Sequence, residues 1–168
     1  RADARPMPMS QVVRAMEQSF GPGWEKAFRR FSFTPMAAAS IGQVHAAITQ
    51  GERHLALKIQ YPGIRQSIDS DVDNVATLLR ISRLVPEELA LEPLLQEAKR
   101  QLHEEANYLR EAGHLQQFAM LLQDAAEFVV PGVDEDLTRE NILAMDLLAG
   151  EPIESLTIDL PEAVSGKA

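Results

Sequence analysis

Apolar and polar positions recur along this chain with two different periods, and the changes of period mark its elements. Behind Ser10, a capping residue, Val12, Val13, Met16 and Phe20 share one face of a helix that Gly21-Pro22-Gly23 stops. The stretch WEKAFRRF, residues 24–31, reads as one or two further helical turns. The period then shortens. Residues 36–49 and 53–61 are β-type runs joined by QGE, a hairpin signal, and Tyr61-Pro62-Gly63 closes the second. Ile64, Ile68, Val72, Val75 and Leu79 return at helical spacing and end before Pro86; a longer helix is predicted from about 93 to 122, with Pro93 in its first turn. Two strand-like runs, EFVVPGV and NILAMDLLAG, flank the polar turn DEDLTRE. The prediction is an α+β lobe: one antiparallel sheet containing both hairpins, with the long helix packed on it.

The 168 residues suffice for one domain or one lobe, and a hydrophobic content of 45% is that of a globular chain. A net charge of −9 argues against nucleic acid as a partner, because phosphate backbones are met by basic faces. With no cysteine there is no disulfide framework, thiolate nucleophile or thiolate metal site. No apolar run approaches the roughly 20 residues of a membrane-spanning helix. The start at Arg1, without a signal-peptide pattern, reads as a piece of a longer protein.

The second strand carries the first chemical signal. In HLALKI, His54, Ala56 and Lys58 share one face, and Leu55, Leu57 and Ile59 the other. A lysine on a short apolar strand is costly to bury unless an anion meets it. LALK matches the Val-Ala-Ile-Lys strand on which protein kinases hold the α- and β-phosphates of ATP, and Ala56 leaves room on the same face for a flat adenine. Before the hairpin stands AAASIGQVH. Laid on the kinase pattern G-x-G-x-x-G-x-V, it gives Ala37, Ala39, Gly42 and Val44, with alanine at the first two glycine positions. Alanine resists the positive φ and close backbone approach that glycine permits, so this loop is expected to be stiffer.

An alanine-rich loop followed by LALKIQYPGIRQSIDSDVDN, EEANYLREA, VVPGV and LLAGEPI resembles the UbiB-type, or AarF-domain-containing, atypical kinases over roughly residues 35–153. The resemblance implies a protein-kinase-like N-terminal lobe at 35–153, preceded by a helical extension at 1–34 and followed at 154–168 by the start of a C-terminal lobe. It implies that ATP or ADP binds through Ala37, Ala38, Ala39, Ser40, Ile41, Gly42, Gln43 and Val44, with Ala56 and Lys58. A hinge of Met145, Asp146, Leu147 and Leu148 completes the adenine site. In the family the alanine loop is held to alter nucleotide preference and suppress protein-kinase activity.

The lysine of a kinase needs a glutamate on its αC helix. The long helix offers Glu97, Glu104, Glu105 and Glu111; its apolar stripe of Leu95, Ala98, Leu102, Ala106 and Leu109 puts Glu105 at the border, while Glu104 and Glu111 share a different face. The resemblance assigns the role to Glu111 in REA. It places the family's E-x-D motif on Glu105-Ala106-Asn107, with asparagine in place of aspartate. The partner of that motif, a lysine-glycine-glutamine segment, does not occur in this sequence, which leaves Glu105 without its expected cation.

Other patterns are weaker. DSDVDN, residues 69–74, resembles the first ligands of a calcium loop, but Asn74 replaces the glycine and Arg80 the final glutamate. The same stretch has the Asp-x-x-x-x-Asn spacing of a kinase catalytic loop without the flanking motifs, so helix capping is the expectation. His45 and His54 are placed to meet across the hairpin, yet lack a third zinc ligand. The catalytic and magnesium aspartates are expected in the C-terminal lobe, so this chain is expected to hold half a nucleotide site, to coordinate Mg²⁺ only with that lobe, and not to turn over alone. The implied setting is isoprenoid-quinone (ubiquinone) biosynthesis, with an isoprenoid lipid or proteins of that pathway as partners. The expected location is mitochondrial in a eukaryote, cytoplasmic or membrane-associated in a bacterium. The competing expectation is a pseudokinase-like interaction module that does not turn over nucleotide.

Overall fold

The computed structural model describes residues 7–147. Helix α1, Met9–Phe20, buries Val12, Ala15 and Met16. It begins one residue before the expected cap: Pro8 precedes it, the Pro8 carbonyl accepts from the Gln11 and Val12 amides, and Ser10 lies inside the first turn.

The stretch expected to be helical after GPG is instead a 3-10 turn, Trp24–Ala27, followed by strand β1, Phe28–Phe31. The reason is a register shift between Phe28 and Arg30. A bulge of this kind places residues three apart on one face of a strand, imitating helical spacing. Phe28 and Phe31 are both buried, and the Trp24 ring packs edge-on at 5.2 Å from that of Phe31.

The run 36–49 is two strands rather than one. β2, Ala37–Ala38, turns back on β3, Gly42–Thr49, pairing Ala37 with Val44 and Ala38 with Gln43. β3 also pairs with β1 and with β4, His54–Gln60, and β4 pairs with β5, Ile142–Asp146, all antiparallel. The sheet order is β1-β3-β4-β5, with β2 alongside β3. The second predicted hairpin is reduced: Phe128 and Val129 are exposed and outside any strand, and Val133 makes only an isolated bridge to Met145. Pro131 interrupts this run, having no N–H to donate to a ladder.

Alternation gives the sheet two distinct faces. One carries Ala47, Leu57, Ile59, Ile142 and Ala144, which close a core with α1, Trp24, Phe28 and Phe31. His45 lies on this face, stacked on Phe31 and donating from Nδ1 to the Ser32 carbonyl at 2.8 Å. The opposite face carries Val44, Ala46, Ala56, Lys58, Leu143 and Met145.

The long helix is broken. Helix α2, Ile68–Ser82, packs against α3, Leu91–Glu105, with Lys99 to Asp73 and His103 to Asp69 both at 2.9 Å. After Ala106 and Asn107 a new helix, α4, runs Tyr108–Leu121, and Tyr108 and Ala112 pack on Leu143 of the sheet. Asn107 makes the break: its side chain accepts from the Leu109 amide as the N-cap of α4. Among the described residues no helix is long and apolar enough to cross a membrane.

Candidate functional site

The centre of the site is a cation one residue into an otherwise apolar ledge. The sheet register sets Val44 and Leu143 on either side of Lys58, and Ala46 and Met145 on either side of Ala56. Small side chains at 46 and 56, both buried, keep this apolar stretch low, a shelf with the lysine at its end. Ala46 was not singled out by the sequence; its position follows from the hairpin register, which the turn at QGE implied.

Lys58 donates to Glu111 of α4 at 2.8 Å, with the two side chains 22% and 38% exposed. Its ammonium also lies 5.2 Å from the ring centroid of Tyr108, close enough for a cation–π attraction. Tyr108 is buried, and both that burial and the charge of Glu111 push its phenol upward. Tyr108 lies in EEANYLREA, where the sequence assigned it no role. The signal was its place three residues before Glu111, on the same side of a helix.

Above this pair opens a cavity of about 380 Å³, lined by Ser40 and Ile41, Lys58, Glu104, Glu105 and Glu111 among others. The alanine loop forms one wall as a tight reverse turn, in which the Ala39 amide donates to the Gly42 carbonyl at 2.9 Å. Ala39 keeps a negative φ, as does every non-glycine described residue except Glu52 and Arg83. Gly42 is required for another reason: a Cβ there would lie 2.1 Å from the Ile59 carbonyl oxygen. The third glycine thus lets β3 approach β4. Ala37 and Ala38 are exposed on β2, and the Gln43 side chain is buried on the sheet face opposite Lys58.

The remaining carboxylates separate. Glu104 is paired with Arg100 and Arg110 on the helix surface. Glu105 is exposed at the cavity and has no ion-pair partner among the described residues. Asn107 serves as a helix cap. Of the hinge, Met145 and Asp146 end β5 and Leu147 packs against Ala46 and Ile48; Leu148 and residues 154–168 lie outside the described residues. His45 and His54 do not meet, since their register partners are Leu57 and Ile48 and they point to opposite faces. Asp69, Asp71 and Asp73 are spent on His103, Ser67 and Lys99. No group of three or more residues among those described could hold a metal ion.

The chain that carries this arrangement is similar over most of its length to known proteins. The ABC1 atypical kinase-like domain model matches residues 1–163. The chain is 37% identical over 98% of its length to "Atypical kinase coq-8, mitochondrial" of Caenorhabditis elegans, and 42% identical over 91% to "Atypical kinase COQ8, mitochondrial" of Saccharomyces cerevisiae. It spans 22% and 30% of those two proteins. Among solved structures it is similar to Rv3197 of Mycobacterium tuberculosis, determined in complex with erythromycin. The TM-score is 0.71 and the identity 29%, covering 90% of this chain and 38% of that one. The chain belongs to the ABC1 atypical kinase-like domain family, with the fold of a protein-kinase-like N-terminal lobe.

Proposed function

We propose that this chain is the nucleotide-binding lobe of an atypical kinase or ATPase, in which Lys58, held by Glu111, meets the phosphates of ATP or ADP. The observation that carries this reading is the 2.8 Å Lys58–Glu111 pair at the end of the apolar shelf of Val44, Ala46, Ala56 and Met145. An adenine ring suits the shelf in this reading, because two alanines leave its surface flat, and a phosphate suits the lysine, because Lys58 borders a cavity that Ser40 and Ile41 of the alanine loop also line. The turn at residues 39–42 covers the phosphates in this reading, its stiffness set by Ala37, Ala38 and Ala39. Bound nucleotide supplies the phosphoryl group, and this lobe contributes its positioning: phosphoryl transfer rests mainly on orientation and charge stabilisation. Mg²⁺ and the catalytic aspartate are assigned to the part of the relatives that this chain does not span.

The same reading places the full-length protein in isoprenoid-quinone biosynthesis. Its partners there are an isoprenoid lipid or proteins of that pathway, and it resides in the mitochondrion if the source is a eukaryote. The test is binding of ADP and ATP, with and without Mg²⁺, to the full-length protein and to its Lys58→Ala and Ala39→Gly variants. Weaker binding in Lys58→Ala and a changed ADP/ATP preference in Ala39→Gly support the reading. Affinities unmoved by both substitutions would replace it with an interaction module.

A further inference from the structure

Two residues beyond Lys58, and on the same face of β4, Gln60 is buried. Its amide Nε2 donates to the Ala106 carbonyl and, at 3.4 Å, to the Glu140 carbonyl. Ala106 ends α3, so its carbonyl is one of those a helix terminus leaves without an intrahelical partner, and it is buried. The Glu140 carbonyl also accepts from the Tyr108 amide at 2.8 Å, and the Gln60 amide donates to the Asn141 carbonyl at 3.1 Å. One side chain thus gathers the lysine strand, the break between α3 and α4, and the turn that leads into β5. Glu111 lies in the first turn of α4, directly beyond that break.

We propose that Gln60 is a positioning residue for the Lys58–Glu111 pair. By satisfying the last carbonyl of α3 it fixes where α4 starts, and so delivers Glu111 and the Tyr108 ring onto Lys58. Because Gln60 and Lys58 leave the same strand two residues apart, the clip and the cation share one rigid frame. An apolar residue at 60 leaves the Ala106 carbonyl buried and unpaired, and α4 moves to find water or another donor. A glutamate sets a carboxylate against two carbonyls. The consequence for nucleotide rests on the reading proposed above; the geometric consequence does not.

The test is zero-length carbodiimide cross-linking of the full-length protein, read by peptide mass spectrometry, for wild type, Gln60→Met and Gln60→Glu. An amide forms only between an amine and a carboxylate in contact, so the Lys58–Glu111 product reports the pair directly. The Lys99–Asp73 product, between α3 and α2, reports the remainder of the fold. The expected result is a fall of about five-fold or more in the Lys58–Glu111 product in both variants, the population change that losing one buried hydrogen bond produces. The Lys99–Asp73 product stays at the wild-type level. A Lys58–Glu111 product that is unchanged in both variants overturns the proposal. So does a parallel loss of both products in both variants, which would make Gln60 a general folding residue. ADP affinity, measured beside Lys58→Ala, separates the two readings. If Lys58→Ala leaves ADP binding intact while the cross-link still falls in the Gln60 variants, the nucleotide reading fails and the positioning role stands.

Discussion

Lys58 holds its ammonium 5.2 Å from the ring centroid of Tyr108 while donating to Glu111 at 2.8 Å. The ring and the carboxylate belong to the same first turn of α4, so the cation is held from two sides by one element. The Tyr108 hydroxyl is buried without a hydrogen-bond partner among the described residues. Tyr108→Phe should therefore leave the melting temperature unchanged or raise it slightly, because no bond is lost and an unpaired polar group is removed. Tyr108→Leu should lower it and weaken ADP binding, since the ring face goes with the hydroxyl.

The ion pair itself adds little to folding. With Glu111 38% exposed, solvent screens it, and Glu111→Gln should cost about 1 kcal/mol or less in thermal or denaturant melts. Nucleotide affinity should respond more strongly. Lys58→Ala should weaken ADP binding about ten-fold or more by calorimetry, as expected for loss of a charged hydrogen bond to phosphate.

Ala39 and Gly42, the two ends of one four-residue turn, should behave differently. Gly42→Ala forces a methyl group against the Ile59 carbonyl and should destabilise the fold by roughly 1–3 kcal/mol, seen as a lowered denaturation midpoint. Ala39→Gly meets no such contact and should cost under about 1 kcal/mol from added backbone freedom. Its effect should appear in the ratio of ADP to ATP affinities.

Asn107→Ala removes the cap of α4 and should cost about 1 kcal/mol, whereas Asn107→Asp keeps an acceptor for the Leu109 amide and should be close to neutral. Hydrogen exchange at the first turn of α4 is the direct readout. Equal protection in both variants would show that the cap is dispensable.

His45 gives the pH dependence. Its burial lowers its pKa from the ordinary 6.5, so the unfolded chain takes up a proton that the folded chain refuses. Stability should be complete above about pH 6.5 and fall as the pH drops below it. His45→Gln, which does not titrate, should flatten that part of the melting-temperature profile.

The sequence alone determined the lysine strand, its alternation and the hairpin before it, because these are local: a period of two and a short turn set which residues share a face. The turn that splits 36–49 into two strands had no period to show it. The family resemblance added Glu111, which the spacing of four glutamates on a helix left open. Three features were decided by tertiary structure. Phe28 and Phe31 looked helical because a bulge gave strand residues a helical spacing, and only pairing with β3 resolved it. At the Asn107 break of the long helix, the Ala106 carbonyl accepts from Gln60 and the Tyr108 amide donates to the Glu140 carbonyl, both distant in sequence. The meeting of Lys58 with Glu111 and Tyr108 depends on the same break. Contacts between residues far apart in the chain have no period to reveal them, and they form only where the packed sheet has already set the distance.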